Sequence, residues 1–291
     1  MVGPLCASVA RVGELRIAYE RRGDGPPLIL LPGYVGDGPG TFRFQLEGLS
    51  DGFTVVAWDP PGSGLSSDPP QDFHLADYAD VLAGFIEALG YSKVHTLGLS
   101  FGAGLALEFY RRFPSMSSSL ILLSGYAGWA GSLPPDEVER RIEQVRRLAD
   151  ETPPRFVEAV LPSMFSGTVP QHVADEFADT IAAFHPAGLR SMAEAFAEAD
   201  LTDALSSIAV PTLLIYGEED VRAPRAVREA LHDAIPARSW SCWMVSGTSA
   251  RWKLRSESTR RFVPSSTGSR SDMTGGDPLD QQTASSIRWL L

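Results

Sequence analysis

Short apolar runs alternate with segments of helical period along most of the chain, and this rhythm narrows its possible folds more than any other feature. Residues 15–20 alternate like a strand, and Pro27–Leu31 is a continuous apolar run closed by Pro32-Gly33. Residues 53–58 form another such run, ending at Asp59-Pro60-Pro61-Gly62. Residues 74–89 place Leu75, Tyr78, Val81, Leu82, Phe85, Ile86 and Leu89 at helical spacing, with Gly90 as the stop. Val94–Leu99, a helix over 100–113, a strand at 120–123, a strand at 211–216 and a helix over 224–234 continue the series. Strands rich in Leu, Ile and Val that alternate with helices predict an α/β fold, with a mostly parallel sheet flanked by helices.

Between residues 125 and 200 the rhythm breaks. No strand pattern is present, and amphipathic helical segments such as 136–148 and 173–184 take over. An all-helical insertion in an α/β domain is expected as a cap over the carboxyl edge of the sheet, where ligands bind in such folds. The expected organisation is therefore a core in two parts, residues 1–124 and 201–238, with a helical cap over 125–200. An atypical tail follows at 239–291. Cap residues Met164, Phe165, Met192 and Phe196 are candidates for a pocket lining, although such residues also serve as plain core.

Gly98-Leu99-Ser100-Phe101-Gly102 fits G-x-S-x-G at the junction of a predicted strand and a predicted helix. A turn that sharp leaves no room for side chains two residues either side of the serine. It would present the Ser100 hydroxyl above the sheet at a helix N-terminus, where partial positive charge favours an oxyanion. The plainer alternative is a helix-capping serine.

With this motif in place, residues 14–235 resemble the α/β-hydrolase fold family, in the form of a serine hydrolase with a helical cap. The resemblance implies an oxyanion loop at Leu31-Pro32-Gly33-Tyr34, with the Tyr34 and Phe101 N–H groups as donors. Family members often carry His-Gly where this chain has Pro32-Gly33. The resemblance also implies a structural turn at Asp59–Ser66 and a catalytic acid at Asp220, within Tyr216-Gly217-Glu218-Glu219-Asp220. Its mechanism needs neither metal nor organic cofactor.

The triad histidine is missing from the expected place, the loop after the last strand. Of the histidines His74, His95, His172, His185 and His232, only His232 follows Asp220, and it falls within a predicted helix. The tail that should carry this residue has an unusual composition. Residues 1–238 hold 18 Lys and Arg against 32 Asp and Glu, a net of −14; residues 239–291 hold 7 against 4, a net of +3. Those last residues also contain four of the six Trp.

Trp and Met have single codons, so part of the next reading frame can be deduced. In the frame built from the third base of each codon and the first two of the following one, Trp243/Met244 gives Asp, Met244/Val245 gives Gly and Trp252/Lys253 gives Glu. Gly247/Thr248 permits His, and permitted choices from Trp243 onward spell a Gly-His loop followed by an amphipathic helix. A base deleted near codons 236–239 would produce this pattern, so the tail looks frameshifted. A divergent tail is the alternative, and under either reading the tail is expected to be poorly ordered.

Composition excludes other classes. The overall charge of −11 lacks the clustered Lys and Arg that nucleic acid or an anionic membrane requires. Two cysteines, Cys6 and Cys242, suit neither a disulfide scaffold nor a zinc site. No apolar run approaches a membrane span, and the start lacks a signal-peptide pattern. The expectation is a cytoplasmic, cofactor-independent enzyme acting on a small-molecule substrate, a largely apolar ester, lactone or related carbonyl compound. The competing expectation is a catalytically defective or ligand-binding chain that lacks the triad histidine.

Overall fold

The computed structural model describes residues 7–165, 170–217 and 220–236, and beyond them only the backbone of two strands. The strands are β1 (Ser8–Val12), β2 (Leu15–Arg22), β3 (Pro27–Leu31), β4 (Thr54–Trp58), β5 (Val94–Leu99), β6 (Ser117–Leu123), β7 (Thr212–Gly217), β8 (Trp240–Val245) and β9 (Thr259–Arg261). They form one sheet in the order β1-β2-β4-β3-β5-β6-β7-β8-β9. Pairing is parallel from β4 through β8 and antiparallel at β1–β2, β2–β4 and β8–β9. The helices are α1 (Gly38–Thr41), α2 (Arg43–Gly48), α3 (Leu75–Ala88), α4 (Phe101–Arg112), α5 (Pro135–Ala149), α6 (Pro153–Val160), α7 (Gln171–Ala182), α8 (Pro186–Glu198), α9 (Thr202–Leu205) and α10 (Arg225–Ala234).

The period of two along each strand sorts its side chains into two cores. Ile29, Leu31, Val56, Trp58, Leu120, Leu122, Leu214 and Tyr216 face one side, packed with Tyr78, Leu82 and Phe85 of α3 and Phe101, Leu105 and Phe109 of α4. Leu28, Leu30, Val55, Ala57, Ile121, Leu123, Leu213 and Ile215 face the other, against Phe42, Leu46 and Leu49 around α2. Because β4 and β7 are buried along their whole length, they read in sequence as unbroken apolar runs.

Two features differ from the sequence reading. β1 has no counterpart in it, because Ser8–Val12 is an exposed edge strand whose Val9 is 52% accessible, so no apolar pattern marks it. Within the tail, Trp240–Val245 pairs in parallel with β7, Tyr216 opposite Met244, and Thr259–Arg261 pairs with β8. The rest of the tail, with Glu218 and Glu219, lies outside the described residues.

Among the described residues between α5 and α8 there is no strand, and α7 and α8 lie against the loops that leave the carboxyl ends of β3 and β4. A Cβ built on Gly62, after β4, would come within 2.5 Å of Gly188 in α8, and one on Gly36, after β3, within 3.1 Å of Thr180 in α7.

Candidate active site

Ser100 closes β5 and precedes α4 with φ 51 and ψ −108, one of three described non-glycine residues with positive φ. The backbone around it locks this conformation. Its N–H donates to Leu123 O at 2.9 Å, and its carbonyl accepts the N–H groups of Ala103 and Gly104. The flanking glycines are required by contact. A Cβ on Gly98 would lie 2.1 Å from Gly102 O, and a Cβ on Gly102 would lie 2.1 Å from Leu31 O. The G-x-S-x-G spacing is therefore a packing demand that joins β5, α4 and the end of β3.

Tyr34 follows that same β3 end, so the Gly102 contact sets its loop beside Ser100. Neither the Tyr34 N–H nor the Phe101 N–H has an acceptor among the described residues. Phe101 is fully buried, edge-on to Tyr78 and to Phe196 of α8. The Tyr34 ring stands edge-on to Trp129, and Trp129 and Tyr126 both meet Phe196. An aromatic shell thus surrounds two backbone donors that could hold an oxyanion.

Asp220 sits just beyond β7. Its Oδ1 accepts the N–H groups of Arg222 (2.9 Å) and Ala223 (3.0 Å), and its Oδ2 accepts the hydroxyl of Ser124 at 2.6 Å. Ser124, the residue after β6, also has positive φ. Its N–H bonds Ile215 O, much as the Ser100 N–H bonds the end of β6. Ser100, Ser124 and Asp220 therefore lie at the ends of three adjacent strands, linked by these bonds.

Four of the described histidines are engaged away from this line, and the fifth, His172, lies exposed in α7. His74 pairs with Glu198, His95 with Ser119, His185 with Asp68 and His232 with Asp233. Burial, together with the charge of Lys93, lowers the pKa of His95. The partners of Asp220 include no histidine among the described residues.

A cavity of about 240 Å³ opens between these loops and the helical segment. Its walls combine Tyr34, Val221 and Arg222 from the core with Arg140, Arg141, Val145, Leu148, Phe156 and Val160 from α5 and α6. None of Met164, Phe165, Met192 and Phe196 is part of this lining. Met192 and Phe196 are fully buried core, and Phe165 packs on Phe177. Met164 meets Arg222 through its sulfur. The sequence reading missed Ser124, Arg141 and Arg222; only the two-residue distance of Arg222 from Asp220 could have hinted at it.

The model of the α/β hydrolase fold family matches residues 26–179, more than half of the chain. The RutD protein of Pantoea ananatis, named for carbamate hydrolysis, is 28% identical over 231 residues, covering 76% of this chain and 81% of its own. The serine hydrolase BPHL of Mus musculus is 29% identical over 220 residues, covering 74% and 70%. A thermophilic esterase from Thermogutta terrifontis, solved with malate bound, is 28% identical with a TM-score of 0.73, over 82% of this chain and 89% of that one. The glycine-framed serine turn, the parallel sheet and these likenesses agree: the chain belongs to the α/β-hydrolase fold family and is a hydrolase of that family.

Proposed function

We infer that this protein is built to cleave a small ester, lactone or related carbonyl compound through an acyl-enzyme on Ser100. The Ser100 hydroxyl attacks the carbonyl carbon while a histidine takes its proton. The Tyr34 and Phe101 N–H groups hold the oxyanion, and Asp220 orients the imidazole and stabilises its charged form. The C–O bond to the alcohol breaks as the histidine returns the proton to the leaving oxygen, and water, deprotonated in turn by the histidine, then attacks the acyl-enzyme and releases the acid and free Ser100. The observation that carries this reading is the locked positive-φ turn at Ser100 beside two N–H groups without acceptors. The apolar part of the cavity wall, Val145, Leu148, Phe156, Val160 and Leu189, suits the largely apolar body of a small substrate. On this reading the α5–α8 segment acts as the cap.

The histidine belongs, in this proposal, to the shifted reading frame. Its permitted codon falls at Gly247/Thr248, shortly after β8 in sequence, and β8 pairs with β7, the strand that precedes Asp220. A second reading has its own support: with His74, His95, His185 and His232 engaged elsewhere, the chain as written is a defective or ligand-binding form.

One comparison tests both. Ester hydrolysis is measured for the chain as written, for a frame-restored chain, and for each with Ser100→Ala. The expected outcome is Ser100-dependent turnover in the restored chain, at least roughly a thousandfold above the chain as written. Equal, Ser100-dependent turnover in both would overturn the frame argument. Turnover indifferent to Ser100→Ala in both would overturn the nucleophile.

A further inference from the structure

The cavity between the core and the helical segment carries a charge opposite to that of the molecule. The chain as a whole has a net charge of −11, yet among the described residues the cavity walls hold Arg140, Arg141 and Arg222 and no carboxylate side chain. Glu137, just outside the lining, is shared between two of them. It accepts from Arg140 through Nε and Nη2 and from Arg141 through Nε, all at 2.7 Å. Three guanidinium groups thus stand against one carboxylate.

Arg222 is the unmatched member. Its guanidinium is half-buried, and its partners are neutral: Ser163 Oγ at 3.0 Å, Tyr34 Oη at 3.2 Å and Met164 Sδ at 3.6 Å. No carboxylate pairs with it among the described residues. The nearest carboxylate in sequence, Asp220, turns one oxygen to backbone N–H groups and the other to Ser124. A partly desolvated guanidinium with hydroxyl and thioether acceptors is incompletely satisfied, and it can exchange these for a bidentate carboxylate at a net gain.

Arg141 fixes the position of this group. It donates to Arg222 O and to Tyr126 Oη at 3.2 Å each, with its guanidinium over the rings of Tyr126 and Trp129. The rest of the cavity wall is mostly apolar, with Val145, Leu148, Phe156, Val160 and Leu189, and adds the neutral polar side chains of Gln144 and Ser163. The cavity therefore has one cationic end, beside Tyr34 and the Asp220 loop, and one apolar body.

Resting on the hydrolase reading above, we propose that the substrate carries a carboxylate on its acyl side, received by Arg222 with Arg141 behind it. The substrate class is the half-ester, lactone acid or related mono-acyl derivative of a short dicarboxylic acid. Such an anion meets an acidic protein surface, and the arginine-lined cavity is the local field that draws it in. Tyr34 links the two functions, since its hydroxyl accepts from Arg222 while its N–H is the oxyanion donor of the hydrolase reading above.

Binding tests this independently of turnover. In the full chain carrying Ser100→Ala, the affinities of monomethyl glutarate and dimethyl glutarate are measured by calorimetry at low and high salt. The anionic half-ester is expected to bind about tenfold or more tightly than the neutral diester, with the difference shrinking as salt rises. Arg222→Met should abolish that preference, whereas Arg112→Gln, which removes a positive charge paired with Asp80 on α3, should leave it intact. Equal or tighter binding of the diester, no binding of either probe, or the same loss in Arg112→Gln would each overturn the proposal. Should Arg222→Met fail to fold, the two probes on the Ser100→Ala chain still decide. A failed hydrolase reading shows instead as Ser100-independent turnover and leaves the binding preference standing.

Discussion

Ser100 holds a backbone conformation that ordinarily costs on the order of 1–3 kcal/mol for a residue with a side chain. It persists because neighbouring contacts determine it from both sides, through the bond from its N–H to Leu123 O and the close approach of Gly102 to Leu31 and Pro32. Gly102→Ala would place a Cβ 2.1 Å from Leu31 O and 2.6 Å from Pro32 O, backbone atoms that cannot rotate away. The expected loss is roughly 2–4 kcal/mol in urea denaturation. Gly104→Ala meets only the edge of the Phe196 ring, at 2.4 Å, so it should cost less because a side chain can shift. A Gly102→Ala protein as stable as its parent would mean the turn is not held by this contact. At this scale the strand-end positions of Ser100 and Asp220 were legible in sequence, because each lies in a short local motif. Ser124 and Arg222 were not, since what makes them matter is contact across 96 residues to Asp220 and 188 residues to Tyr34.

Among the elements, the strands buried on both faces were legible from their continuous apolar runs, and α3 and α4 from their spacing. β1 was not, because an exposed edge carries no such pattern, and the helices α5 and α7 gave amphipathic faces without naming their partners. The turn after β4 was recognised only as structural, and its contacts give that role a physical content. Asp59 is 4% exposed, accepts the N–H groups of Gly38 and Leu65, and sits where Gly64 must lack a side chain. Burial raises its pKa to about 7; Asp37 adds to the rise, while the Leu65 and Gly38 donors and His185 oppose it. The folded state therefore holds this proton more tightly than the unfolded chain, where the group titrates near 3.8. The stability that the protonated form contributes is complete below that value and is lost as pH rises through about 7. The size is roughly 2–4 kcal/mol. Urea titrations between pH 4.5 and 7 should show stability falling with pH more steeply in the parent than in Asp59→Asn, with the difference levelling off above about 7, and parallel slopes across that range would refute the assignment.

At the scale of the whole molecule, the proposal under test is that the last part of the chain has changed reading frame. Up to residue 236 the local patterns, the two cores and the sheet order support one another, which is the signature of a sequence selected for its fold. Beyond it, the composition changes sign in charge while the backbone of β8 still continues the parallel order beside β7. Main-chain pairing tolerates almost any side chains, so a strand can survive a shifted frame; an amphipathic helix cannot, because its apolar stripe depends on each residue. The permitted alternative reading supplies such a helix, with Val, Val, Phe and Leu at helical spacing. Burying side chains of that kind yields about 1.5–3 kcal/mol each before ordering entropy is subtracted, so a net gain of a few kcal/mol is expected on restoring the frame. Urea denaturation should then give the restored chain a higher midpoint, and a larger dependence on denaturant because more surface is buried on folding. Resequencing the gene supplies an independent check, since the deletion must appear near codons 236–239. A restored chain with unchanged midpoint and slope, from a gene with no missing base, would leave the tail as a divergent segment and the hydrolase without its base.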